Sequence, residues 1–317
     1  MEDYHEGNPL IGKTYHNSVF LKEVMGALDP AYGGVNIRDA WYIDCTLGDG
    51  GHSIEIIKRG GRVIGIDVDP QALGRVQERF KELGYLGILG ERIKLVQGNF
   101  RDVKKLIQQT DAGKEFAGAI FDLGVSSVQL ETPGRGFSFS KEGPLDMRMD
   151  PTLQVRALDL INAGGRKELN ELFSRLGEEK YSRRLADALV LAREIRGKDI
   201  RTTRDLADFV EKVVGGRKGR IHPATQVFQA LRIAVNDELG ALQEGLDQII
   251  DLMEKKGRIV VISFHSLEDR IVKFTFRKWE EGGKGLIITE RPIVPSDDEV
   301  RNNPRSRSAK MRVFQRL

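Results

Sequence analysis

Four short β-branched runs within the first 122 residues each stop at an acid, a glycine or a turn, and residues with helical spacing follow. Trp41-Tyr42-Ile43-Asp44-Cys45 reads as a first strand, followed by the turn Gly48-Asp49-Gly50-Gly51 and a helix from His52 to Lys58. Arg62 to Asp67 forms a second strand and leads to a helix from Gln71 to Leu83; Ile93 to Val96 and Gly118 to Asp122 form a third and a fourth. Runs that are apolar on both faces and alternate with helices predict a parallel sheet covered on each side, an α/β fold.

From about Gln129 to Ile221 the strand signal disappears. Leu169, Leu172, Phe173 and Leu176 share one helical face, Leu185, Leu189 and Ala192 another, and Thr202-Thr203-Arg204-Asp205 has the form of a helix start. The block is basic, with Arg183, Arg184, Arg193, Arg196, Lys198, Arg201, Arg204, Arg217, Lys218 and Arg220. The β/α pattern then resumes with a long helix from Thr225 to about Glu254 and a strand from Arg258 to Ser263. A helix from Leu267 to Trp279 follows, then strands at Leu286 to Thr289 and Lys310 to Phe314. The expected organisation is a discontinuous sheet domain, residues 1–130 and 222–317, interrupted by an all-helical subdomain at 131–221.

Of the 317 residues 40% are hydrophobic and 31% charged, which places the chain among soluble globular proteins. A net charge of +3 permits a nucleic-acid partner without demanding one. Cys45 is the only cysteine, so neither an intrachain disulfide nor a cysteine-based zinc cluster can form; no other metal-ligand cluster stands out. The first residues lack a signal-peptide pattern, and the longest apolar runs, such as Ile259 to Ile262, are far too short to span a bilayer. The expectation is a cytoplasmic protein with no membrane partner; the oligomeric state is open, a homodimer being one option.

The residues that carry chemistry gather at the predicted strand ends. Asp67 closes the second strand 19 residues beyond Gly48, where a carboxylate can accept both hydroxyls of a nucleoside ribose. Nicotinamide enzymes share such an acid, but the glycines do not follow G-x-G-x-x-G, and Asp49 puts negative charge where a pyrophosphate would lie. His52 stands at a helix start, and Cys45 reads as a small buried residue. Phe100, after the third strand, suits either adenine packing or the core. Asp122 ends the fourth strand, at the carboxyl edge where ligands of open α/β sheets bind. His265, after the fifth, fits a general base, an RNA contact or a structural role. The basic loop Arg301 to Lys310 fits phosphate binding and a solvated surface equally well.

Together these segments resemble the bacterial 16S ribosomal RNA cytosine-N4 methyltransferase family. The matching blocks are Asp44 to Ser53, Asp122 to Ser127, Arg135 to Phe139, Gly143 to Met149, Phe228 to Asn236, Ser263 to Lys273 and Asn303 to Ser308, in family order from about His16 to Arg312. Val128 stands where the pattern has proline, and Ser306 where alanine is commoner. The resemblance implies a Rossmann-like methyltransferase sheet, mostly parallel with an antiparallel C-terminal strand and an inserted helical subdomain. It implies transfer of a methyl group from S-adenosylmethionine to the N4 amine of a cytidine in the decoding region of 16S rRNA in the small ribosomal subunit. The donor site it implies is Gly50, Gly51, His52, Asp67, Phe100, Asp122 and Gln129, with Asp122 also the catalytic residue. The aromatic that stacks on the base is expected among Phe137, Phe139 and Phe264. The alternatives are a methyltransferase of another substrate class, a non-enzymatic ribosome-assembly factor and a nicotinamide oxidoreductase.

Overall fold

The computed structural model describes residue 15 and residues 17–29, 34, 37–113, 115–196, 200–216 and 222–317. Among these residues seven strands form one sheet in the order β3-β2-β1-β4-β5-β7-β6. They are β1 (Trp41–Asp44), β2 (Arg62–Asp67), β3 (Ile93–Gln97), β4 (Phe116–Asp122), β5 (Met253–Ser263), β6 (Gly285–Ile287) and β7 (Lys310–Arg316). The first five run parallel, and β7 is antiparallel to both neighbours. The result is the expected Rossmann-like sheet with its antiparallel C-terminal strand. Strand order reverses between β1 and β4, so the chain's connections leave a crevice at the carboxyl ends of these two strands.

The two sheet faces are separately covered. Helices α1 (Leu21–Leu28), α2 (Gly51–Lys58) and α3 (Pro70–Glu82) pack on one face. Helices α4 (Val103–Gln108), α11 (Glu238–Ile249) and α12 (Ser266–Glu281) cover the other. The period-2 geometry of β5 is visible in this division: Val260 and Ile262 enter the first core, Ile259 and Val261 the second. Between them lie the short α5 (Ser127–Glu131) and the insertion helices α6 (Ala157–Ala163), α7 (Arg166–Leu176), α8 (Ser182–Arg196) and α9 (Thr203–Val214). These helices enclose a third core, built on Leu169, Phe173, Leu185, Leu206 and Val210. The next helix, α10 (Ala224–Asn236), contributes Val227, Phe228 and Leu231 to this same core although it lies beyond residue 221.

One expected element is overturned. The helix read from Thr225 to about Glu254 is two helices, α10 and α11, broken at Asp237, whose φ of 47° and ψ of 45° are left-handed. Aspartate tolerates this conformation better than most non-glycine residues, and its carboxylate is held by Arg101. The chain then enters β5 at Met253, five residues before the expected Arg258. The strand expected at Leu286–Thr289 is β6, starting one residue earlier and ending at Ile287. Lys198, Arg217, Lys218, Arg220 and the N-terminal stretch 1–13 lie outside the described residues.

Candidate active site

The crevice at the switch point is lined by carboxyls that the parallel strands deliver by geometry alone. Asp44 ends β1, Asp122 ends the adjacent β4, and Asp67 ends β2 on the far side of β1. Asp44 is 1% exposed and accepts from Ser53 Oγ at 2.6 Å and from the Thr46 N–H at 3.3 Å. Burial pushes its carboxyl above the ordinary value, against the pull of His52 and of these donors.

Asp122 is held from behind, its backbone N–H donating to Thr46 Oγ1 at 2.6 Å. Its Oδ1 is buried and has no hydrogen-bond partner among the described residues. Oδ2 lies 3.9 Å from His52 Nδ1, and the side chain as a whole is 24% exposed. Burial, then the nearby charges of Asp44 and Glu268, push the Asp122 carboxyl up to about 8. An unmet acceptor at a strand end is costly unless something else satisfies it, which marks Oδ1 as aimed at a ligand.

His52 faces the protein. Its ring is 4% exposed, with Nε2 3.0 Å from the Val19 carbonyl. That contact assigns the proton to Nε2 and leaves Nδ1 as an acceptor turned toward Asp122. Burial holds the imidazole below its ordinary value, although Asp44 pulls the other way.

The glycine turn has protein-internal reasons for its composition. Gly50 caps α2 at φ 73°, and a Cβ there would lie 3.1 Å from Val76. A Cβ on Gly51 would fall 1.9 Å from Ser18 Oγ. At Gly48 (φ 52°) the nearest atom to such a Cβ would be 3.9 Å away, so the open side of the turn is there. Asp49 does not present a bare charge: Arg75 Nε lies 2.9 Å from its carboxylate, and Arg79 donates to its carbonyl. The pairing removes most of the repulsion toward pyrophosphate that the sequence suggests. The unpaired acids at the strand ends carry that argument better.

Asp67 accepts from the Gly48 N–H at 2.8 Å and the Asp69 N–H at 2.9 Å, one on each oxygen. Burial nevertheless raises its carboxyl to about 6. Each oxygen retains a second acceptor position, so the group can still bind a diol.

Gln129 and Phe100 are more committed than the sequence suggests. Gln129 is 6% exposed; its Oε1 accepts from the Ser126 N–H and its Nε2 donates to Asp69 Oδ2 at 3.0 Å. Phe100 is half-buried, meets Phe121 edge-on at 5.4 Å and lies against Gly245 of α11. Phe137 and Phe139 belong to the insertion core, Phe139 against His222 and Phe228. Phe264 is the aromatic beside the Asp122–Gly124 segment, its Cδ2 3.7 Å from where a Gly124 Cβ would sit.

Two clusters escape sequence reading. Asp69, 1% exposed, caps α3 and accepts from Gln71, Gln129 and, at 2.8 Å, Arg135 NH1. The second guanidinium nitrogen of Arg135 donates to the Arg148 and Met149 carbonyls, so this side chain fastens the start of the insertion to the β2–α3 turn. Asp69 before Pro70 carries the sequence signature of a helix cap, but nothing local points to its distant partners.

The second cluster lies beneath Gly124. Arg232 grips Glu238 at 2.8 and 3.0 Å, while His265 caps α12 and approaches Glu268 at 3.2 Å. One ligand atom each from Glu238, His265 and Glu268 falls within 4.8 Å of the others. A cation there would compete with a guanidinium for both oxygens of Glu238, so the group functions as an ion-pair network. The C-terminal loop is largely paired as well: Arg305 with Glu131, Arg301 with Asp298, and Lys310 with Asp269.

Chemically, three desolvated carboxyls around one crevice favour a cationic ligand and disfavour a phosphate. The family model that matches residues 13–317 is described as the MraW methylase family. Three relatives each carry the description "Ribosomal RNA small subunit methyltransferase H". The protein of Synechococcus sp. is 47% identical over 97% of this chain and 94% of its own length. That of Persephonella marina is 46% identical over 89% and 94%, and that of Dehalococcoides mccartyi 44% over 95% and 86%. With strand-end acids at a Rossmann switch point and a family match spanning nearly all of its length, the chain belongs to the MraW methylase family.

Proposed function

We propose that the protein transfers a methyl group from S-adenosylmethionine to the N4 amine of a cytidine in the decoding region of 16S rRNA, within the small ribosomal subunit. The observation that carries this reading is Asp122 Oδ1, a buried acceptor without a partner among the described residues, at the carboxyl end of β4. The names of the relatives support the RNA substrate.

The crevice suits the donor chemically. A sulfonium is a cation without phosphates, and it would relieve the mutual repulsion of Asp44, Asp67 and Asp122. In the proposed arrangement the backbone of Gly50, Gly51 and His52 and the carboxylate of Asp67 hold the donor, with Asp67 on the ribose. Phe100 walls the pocket, and Gln129 acts on it through Asp69. The bound donor supplies an activated methyl group.

The N4 lone pair of cytosine is delocalised into the ring, so positioning and charge stabilisation must do most of the catalytic work. Asp122 Oδ1 accepts from the amine N–H, draws the nitrogen toward tetrahedral geometry and takes the proton it sheds as the N–C bond forms. Phe264 beside Gly124 stacks on the base, which must leave its RNA context to enter.

The test is methyl transfer from labelled donor to unmodified small subunits, followed by nucleoside analysis. N4-methylcytidine that disappears with Asp122→Ala is expected. Donor binding without RNA product would redirect the search to other substrates, and absence of donor binding would overturn the reading.

A further inference from the structure

The insertion's basic residues divide into two groups. Arg156 pairs with Asp159, Arg166 with Glu194, and Arg193 donates to the carbonyls of Ile161, Asn162 and Gly164, closing the end of α6. These are structural. Lys167, Arg175, Lys180, Arg183, Arg184, Arg204 and Lys212 are exposed and make no hydrogen bond or ion pair among the described residues, and of these Lys180, Arg183 and Arg184 lie side by side.

Lys180, Arg183 and Arg184 share an open depression with Tyr181, Asp187 and Leu191. Positions 184, 187 and 191 follow helical spacing and form one stripe along α8, opposite the face that buries Leu185 and Leu189, with Lys180 in the turn just before the helix. Tyr181 is 41% and Leu191 44% exposed, large apolar groups set among cations with a single acid. The turn is rigidly held: Glu179 accepts from the Tyr181 N–H at 2.8 Å, and Ser182 Oγ donates to Asn170 at 2.8 Å. Glu178 ties the same turn to Ser266 and Arg270 at the start of α12, immediately after β5. The stripe therefore begins at the carboxyl edge of the sheet, the edge that carries Asp122.

We propose that the Lys180–Leu191 stripe docks a single-stranded RNA segment flanking the target nucleotide. Cations clustered at the start of a helix suit phosphates, and an exposed tyrosine ring beside them offers a stacking surface that only unpaired bases can use. The proposal rests on the RNA-methyltransferase reading for its biological substrate, while the surface chemistry stands apart from catalysis.

The experiment compares the full-length protein with Tyr181→Ala, Tyr181→Phe and the pair Arg183→Glu/Arg184→Glu. Affinity for a labelled single-stranded oligoribonucleotide is read by anisotropy across salt concentrations, alongside KM and kcat on small subunits and the donor Kd. Tyr181→Ala should weaken RNA affinity and raise KM roughly tenfold, with Tyr181→Phe close to wild type. Charge reversal should weaken binding further and flatten its salt dependence. In every variant kcat and donor Kd should hold. Unchanged RNA affinity and salt slope would overturn the proposal, as would a change confined to the sedimentation of the chain, which would mark a self-association surface. If wild type binds RNA through these residues but methylates no small subunit, the docking surface stands and the proposed reaction falls.

Discussion

Replacing Asp122 with asparagine should stabilise the protein at alkaline pH while abolishing methyl transfer. The native carboxyl sits at about 8 against an ordinary 3.8, so the folded state holds its proton far more tightly than the unfolded chain. Below about pH 4 both states are protonated and the group costs nothing. Between about 4 and 8 the unfolded chain ionises first, so native stability falls as pH rises; above 8 the loss is constant. At about 1.4 kcal/mol per tenfold, the ceiling is roughly 6 kcal/mol. With 24% of the side chain exposed, solvent screens much of this, and roughly 1–3 kcal/mol is expected. The amide keeps the shape, and its Nδ2 can donate to His52 Nδ1, the acceptor already facing it. Asp44 and Glu268, which press on Asp122, would ionise more easily in the variant, and this adds with the same sign. Urea unfolding at pH 5, 7 and 9 reads the difference between variant and wild type. It should be smallest at pH 5 and largest at pH 9, while wild-type methyl transfer climbs to a plateau above about pH 8. A pH-independent difference, or a wild type more stable at pH 9, would refute the reasoning.

Arg135→Ala leaves the buried Asp69 carboxylate without its counter-ion and two backbone carbonyls without a donor, at a cost of roughly 3–5 kcal/mol in denaturant unfolding. A loss under about 1 kcal/mol would show that the clasp is dispensable. Gly51→Ala places a Cβ 1.9 Å from Ser18 Oγ and should cost roughly 1–3 kcal/mol. Ser18→Ala should recover most of that in a double-mutant cycle, and strict additivity would disprove the clash. Asp67→Ala removes the proposed ribose acceptor and should weaken donor binding by about tenfold or more in calorimetric titration, with an unchanged Kd refuting that role.

What the sequence made legible follows from locality. Strand periodicity places Asp67 and Asp122 at strand ends, and a parallel sheet must then bring such ends to one edge; Asp44, read as lying inside a strand that ran to Cys45, joins the rim only because β1 stops one residue earlier. Gln129 is partly legible, because Ser126 and Gln129 have the spacing of a capping box. Its reach to Asp69, 60 residues away, is not. The same limit hides Arg75 from a reader of Asp49, whose charge seems free until α3 folds back over the turn. The break at Asp237 escapes because neither glycine nor proline marks it: the stretch Val-Asn-Asp-Glu-Leu continues the helical pattern, and the left-handed residue is selected by contacts with Arg101 on another element. Phe100 shows the converse, since an aromatic after a strand looks alike to a reader whether it meets a ligand or, as with Phe121, another ring.

The distribution of charge constrains how an RNA could be handled. Carboxyls of Asp44, Asp67 and Asp122 surround the crevice, with Glu268 and Glu238 behind it, so a polyanionic backbone drawn into the site would press these groups further toward their protonated forms and be repelled by those that ionise, in a poorly solvated setting. A cationic donor gains from the same field. Under the proposed function, binding RNA and binding the donor make opposite electrostatic demands and fall to different places in the fold. Unpaired cations lie on the outer surface of the insertion helices, Lys180, Arg183 and Arg184 among them, while the acids stay at the strand ends. Under the proposed function the phosphates remain outside on the insertion, and only a neutral base, turned out of its stack, crosses to Asp122. That separation gives a physical reason for a helical block of this size to interrupt a sheet whose strands already supply the acids.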